Sequence, residues 1–241
     1  MTNYKLTRKL IICLTILLTA CGQKNSSIDS NKKNKQELSL EDKINNFSIT
    51  KTTQAEFLKA KKNYKDKFIK DSLIKKNGVT ELLLNSPHYP PSVKFKDTRV
   101  DIEETDERLF NYLGHFPILD NYLVSGSFWE FGEYYLIDKE TGNQTTTWNR
   151  PFLSPTYKYF ANLSLPYGLE GLPNGIQIWK IENNNYLSKY LELDQQIWVP
   201  EDFVWETDNT IILKVAAVEK YLNENGRPNE KGFYYIKLQL K

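Results

Sequence analysis

The stretch from Tyr134 to Trp148, YYLIDKETGNQTTTW, reads as a strand, a turn and a return strand, and that pattern recurs twice downstream. Tyr135 and Ile137 alternate with Tyr134 and Leu136 across the two faces of an extended segment. Asp138 is placed to bond local amides, and Gly142 to take the positive φ that closes a hairpin. Residues 175–193, GIQIWKIENNNYLSKYLEL, repeat the arrangement around an Asn-rich turn. Residues 211–240 repeat it again, with a polar loop around Asn225-Gly226 before GFYYIKLQL. Each echo follows a similar lead, Ser154 to Ala161 in one case and Phe203 to Thr210 in the other. Three hairpin units result, near 111–149, 150–194 and 195–241, in a region rich in Tyr, Trp, Phe, Ile and Val.

Two features of these units carry a resemblance. The form Ser-Pro, turn, aromatic strand, then Ile-x-Ile-Trp, turn, strand resembles a β-propeller blade of the WD40 or TolB-like kind. Leu136-Ile137-Asp138 followed by Thr141-Gly142 looks like the outer hairpin of a quinoprotein-type blade. Closed propellers usually need four to eight blades, and three would leave an exposed edge. The expected fold is therefore α+β and mainly antiparallel β, with an N-terminal helix packed on a propeller-like or open meander sheet domain.

The chain opens with a different signal. Lys5, Arg8 and Lys9 precede the apolar or small-residue run LIICLTILLTA, which is too short to span a bilayer as a mature helix. Residues 1–20 are expected to be a secretory signal peptide. The run ends in Leu18-Thr19-Ala20-Cys21-Gly22, which resembles the lipobox of bacterial lipoproteins. That resemblance implies lipidation of Cys21 and a palmitate-type anchor rather than a membrane span. Gly22 after the lipidated Cys, rather than Asp, implies the outer membrane, facing the periplasm. The other cysteine, Cys13, lies in the leader, so the processed chain has no free thiol, disulfide or thiolate metal ligand.

Processing also changes the charge. The chain carries 32 basic and 30 acidic residues, and loss of Lys5, Arg8 and Lys9 makes it nearly neutral. The basic excess lies before Val100 and the acidic excess after it. Cationic residues near an anionic leaflet add attraction, whereas a solvated Lys-rich helix and linker would carry the same composition.

Residues 21–46 are polar and rich in Lys, Asn and Ser, and are expected to be a lipidated flexible tether. Residues 47–120 are expected to be a helical and loop region, and 121–241 a β-meander domain. Thr53 and Glu56 form a capping-box pattern, and Phe57, Ala60, Tyr64 and Phe68 recur at helical spacing, with Ile69 and Leu73 alongside. Asn77-Gly78 supplies the stop. The Lys-crowded remainder of this helix suits either a membrane surface or, more simply, a solvated back face.

Chemistry is sparse. G-x-S-x-G is absent, and three Ser-x-x-Lys matches lack the partner motifs of penicillin-binding enzymes. His88 and His115 lack H-E-x-x-H spacing, so no metal site is expected. No Gly-rich phosphate loop occurs, no cofactor is expected, and the acidic β region argues against nucleic acid. Acidic groups at Asp101–Glu107, Glu130, Glu133 and Glu201-Asp202 fix no facing pair of the kind a glycosidase needs. All five Trp lie between Trp129 and Trp205, and most are expected in the core. Ser127-Phe128-Trp129-Glu130-Phe131-Gly132 is the exception, because alternation buries one face only and consecutive aromatics leave one exposed. Phe128, Trp129, Glu130 and Glu133 are the candidate binding residues. They imply a non-catalytic scaffold that binds another envelope protein or, alternatively, a protein that binds or hydrolyses envelope glycan.

Overall fold

The computed structural model describes residues 46–73, 75–87, 90–98, 107–129, 131–164, 172–223 and 228–241, all within one compact unit. Cys21 and the tether up to residue 45, His88, Asp101 to Asp106 and Glu130 lie outside the described residues. The elements run β1 (Phe47–Thr52), α1 (Gln54–Asn63), β2 (Ile69–Lys70), β3 (Val79–Leu83), β4 (Ser92–Lys96) and β5 (Arg108–Phe116). There follow β6 (Asn121–Phe128), β7 (Gly132–Asp138), β8 (Gln144–Thr147), β9 (Phe152–Leu153), β10 (Tyr159–Leu163), β11 (Gly175–Ile181) and β12 (Leu187–Asp194). The chain closes with β13 (Trp198–Thr207), β14 (Thr210–Ala217), α2 (Val218–Asn223) and β15 (Phe233–Leu240).

Every strand pairing is antiparallel, and the described strands form three main sheets and a hairpin, none closed into a barrel. Sheet I has the order β2-β5-β6-β7-β8, sheet II β12-β11-β10-β9, and sheet III β1-β15-β14-β13, while β3 and β4 pair alone. Each hairpin unit of the sequence builds one sheet. Sheets I and III each take one further strand from the first third of the chain.

The sheets stack because both faces of each are apolar. On β6 and β7, Leu123 and Leu136 pack toward sheet II with Leu153 and Phe160, while Val124, Tyr135 and Ile137 meet Leu82 and Phe95 of the β3–β4 hairpin. On β10 and β11, Ala161, Ile176 and Ile178 join Trp205, Ile211 and Leu213 between sheets II and III. Alternation along each strand sends neighbouring residues to opposite interfaces, so a sheet covered on both sides is written as a nearly continuous apolar run. TIILKVAA of β14 is such a run: Ile211 and Leu213 face sheet II, and Ile212 is buried with Phe57 and Ala60 of α1.

Residues 47–120 differ from the helical and loop region expected, for they hold five strands. FSITKT of β1 alternates weakly by itself and gains its place by pairing along its whole length with β15 at the other end of the chain. The capping box forms, with the Thr53 hydroxyl accepting from the Glu56 amide at 3.2 Å. The helix it starts ends at Asn63, well short of Phe68 and Leu73. Tyr64 turns to extended geometry, and its hydroxyl donates to the Leu153 carbonyl at 2.9 Å in sheet II. Phe68 packs on Phe116 of sheet I, ring centroids 5.0 Å apart. Burial against two further sheets outweighs the helix propensity of one more turn. The strap so formed is held by Arg150, whose guanidinium lies 4.6 Å from the Phe68 ring and 4.4 Å from the Phe152 ring and pairs with Asp66. The Asn77-Gly78 stop is instead the tight turn leading into β3, both residues having positive φ.

Candidate aromatic binding site

The β6–β7 hairpin carries the site. Ser127 pairs with Gly132, and the Phe128 amide donates to the Phe131 carbonyl at 2.9 Å, so the hairpin reverses between Phe128 and Phe131. The consecutive aromatics are therefore not alternating positions of one strand. Phe128 ends β6, and Trp129 occupies the turn itself, 68% exposed. Phe131 begins the return and is 42% exposed.

Phe128 supports this tip from below. Its ring stacks on Phe131 with centroids 4.6 Å apart and planes 17° from parallel. It also meets Phe110 of β5 edge-on at 6.0 Å, which ties the tip to the core shared with the β3–β4 hairpin. Of the candidates, Trp129 is the protruding ring, Phe128 is half-buried beneath it, and Glu130 lies outside the described residues.

Beside the tip is a small pocket of about 170 Å³, lined by Phe131, Gly132, Glu133, Trp148, Leu172 and Pro173. Glu133 is turned toward its own strand, its Oε2 accepting from the Tyr135 hydroxyl at 2.8 Å. Burial, then the neighbouring Glu133 carboxylate, holds the Tyr135 phenol above its ordinary pKa, so it stays a donor. Trp148 is fixed from behind by a polar ladder in sheet II: its amide donates to Gln177 Oε1 at 3.1 Å, and Gln177 Nε2 donates to Glu192 at 2.8 Å. The next amide, of Asn149, donates to Asn162 Oδ1 at 3.2 Å.

No protein-family model, curated protein or solved structure matches this chain. Its chemistry rests on its own residues. Glu133 is the one carboxylate lining the pocket among the described residues. His115 Nδ1 lies 3.1 Å from Asp71 on the β2–β5 side of sheet I, apart from the pocket lining. Asp202 pairs with Lys61, and Glu201 accepts from the Tyr221 hydroxyl at 3.1 Å. Among the described residues no group of three or more His, Cys, Asp or Glu is placed to hold a metal, and no helix is long and apolar enough to cross a membrane.

Sequence reasoning found the exposed aromatic and missed the pocket. Trp148, Leu172 and Pro173 come from other segments, and Trp148 stood out only as the end of the Tyr134 to Trp148 stretch and as one of five tryptophans. Of those five, Trp198 and Trp205 are fully buried, Trp148 and Trp179 are half-buried, and Trp129 is exposed.

Proposed function

We propose that this chain is a lipid-anchored protein of the bacterial cell envelope, held at the outer membrane through Cys21, which binds another envelope protein without catalysing a reaction. In this reading the domain is an open, propeller-like stack of sheets with α1 packed on its outer side. The observation that carries the binding role is the pairing of a knob with a hole, the 68% exposed Trp129 beside a 170 Å³ pocket.

A pocket of that size lies below the roughly 300–1,000 Å³ of small-molecule sites, and accepts one apolar side chain. Tryptophan is among the residues enriched at interface hot spots, because it buries a large rigid area at little entropic loss. A second reading keeps the same residues: a single sugar ring stacked on the pocket aromatics, with Glu133 accepting from a hydroxyl. Hydrolysis needs a second carboxylate across the ring, and Glu133 is the only one at the pocket among the described residues.

The two readings separate by experiment. Capture of the tagged full-length protein from crosslinked cells should yield one stoichiometric envelope protein, lost in Trp129→Ala and in Cys21→Ser. Tryptophan emission that shifts on adding envelope oligosaccharides, with no protein captured, would replace this reading with the glycan one.

A further inference from the structure

A second, larger cleft lies where α1 meets sheets II and III, and nothing in the aromatic site uses it. Its volume is about 440 Å³, within the roughly 300–1,000 Å³ range of small-molecule sites. Ala60, Pro155 and Trp205 give it apolar walls. Lys59 on the helix, and Lys65 and Lys67 on the strap, line the same space.

The charges in this region do not cancel. Glu56 and Glu206 also line the cleft, but both carboxylates are engaged by Lys237, at 3.7 Å and 2.9 Å. Glu56 is further held by Thr52 and Thr53, bonds that with Lys237 keep its carboxyl below the ordinary value. Asp66, between the two strap lysines in sequence, is committed to Arg150 and to the Phe68 amide. Asp208, near Pro155, is committed to the Thr156 amide and hydroxyl. Asp202 is committed to Lys61. Lys67 stands 5.8 Å from the Tyr157 ring, and Lys59 and Lys65 have no acidic partner among the described residues. Among the described residues each of these carboxylates has a partner, and although Glu56 and Glu206 share Lys237, the ammonium groups of Lys59, Lys65 and Lys67 leave the cleft with a cationic excess.

We propose that this cleft binds a phosphorylated small molecule or headgroup, with Lys59, Lys65 and Lys67 as its cationic contacts and Ala60, Pro155 and Trp205 against its apolar part. Several ammonium groups on flexible stems suit the several charged oxygens of a phosphate. The phosphate can belong to a free metabolite or to a lipid facing the domain, and the test separates the two.

Inorganic pyrophosphate titrated into the full-length protein at low salt should bind saturably and more tightly than sulfate. Lys59→Gln with Lys65→Gln should weaken it about tenfold, and added salt should weaken it further. Both lysines are exposed and free of acidic partners among the described residues, so the double variant should unfold at the wild-type midpoint. Trp129→Ala should bind pyrophosphate as wild type does. Lysine-dependent binding to phosphatidylglycerol vesicles, competed by pyrophosphate, would assign the headgroup as source. Pyrophosphate binding without lysine-dependent vesicle binding would assign a free phosphorylated compound. Pyrophosphate binding no tighter than sulfate, or equal in wild type and double variant, would overturn the proposal.

Discussion

The Phe128 amide donates to the Phe131 carbonyl at 2.9 Å while their rings stack at 4.6 Å, so a backbone bond and a ring pair join the two arms of the aromatic tip. Trp129 contributes to neither. Trp129→Ala should change folding stability by less than about 0.5 kcal/mol, yet weaken partner binding by about 2 kcal/mol or more, as an interface anchor does. Phe131→Ala should instead lose about 0.5–1.5 kcal/mol of stability through the ring pair. Urea titration and a binding isotherm on the same two variants check both halves.

Leu136 is fully buried between sheets I and II. Leu136→Ala should destabilise by about 2–5 kcal/mol, through lost transfer energy and the cavity left behind. Leu58, on the exposed side of α1 at 55% exposure, is the contrast. Leu58→Ala should leave the urea midpoint nearly unmoved.

Gly114 sits where the strap crosses β5, next to a register shift, with a φ of +139°. A Cβ there would lie 2.1 Å from the Ile69 carbonyl oxygen. Gly114→Ala should therefore detach β2 and destabilise by about 2 kcal/mol or more, since both the backbone conformation and the space exclude a side chain. Faster amide exchange at Lys70, whose strand pairs with Gly114, would localise the damage.

Asp208 links sheet III to sheet II by accepting from the Thr156 amide at 2.8 Å and from its hydroxyl. Burial pushes its carboxyl up, but the Thr156 bonds outweigh burial and hold it below the ordinary value. A carboxyl with a depressed folded-state pKa stabilises fully above its unfolded value, near 3.8, and that stabilisation is lost as pH falls through the folded value. Asp208→Asn should lose about 1 kcal/mol at pH 7, allowing for solvent screening. The gap between wild type and variant should close only below about pH 4. Equal gaps at pH 7 and pH 3 would show that the charge is irrelevant.

The readable parts of this fold were the local ones. Asp138 does bond the Glu140 and Thr141 amides, and Gly142 does take a φ of +74°, because turn chemistry is written within a few residues. Thr53 and Glu56 likewise announce the start of α1. Its end was not legible: Tyr64 and Phe68 keep helical spacing, but their partners Leu153 and Phe116 are supplied by distant strands. β1 was hidden for the same reason, since Phe47–Thr52 becomes a strand only through β15. At the candidate site, two adjacent aromatics correctly signalled an exposed ring. The pocket needed Trp148 and Pro173, which neighbour Phe131 in space and not in sequence.

The most direct test places a photo-crosslinking amino acid at position 131 of the full-length protein in living cells, with and without Trp129→Ala. A tip that binds an envelope protein predicts one discrete protein adduct that disappears in the variant, and none from a crosslinker placed at exposed Leu58. No adduct at position 131, or one unchanged by Trp129→Ala, would contradict the assignment of this hairpin as the binding site.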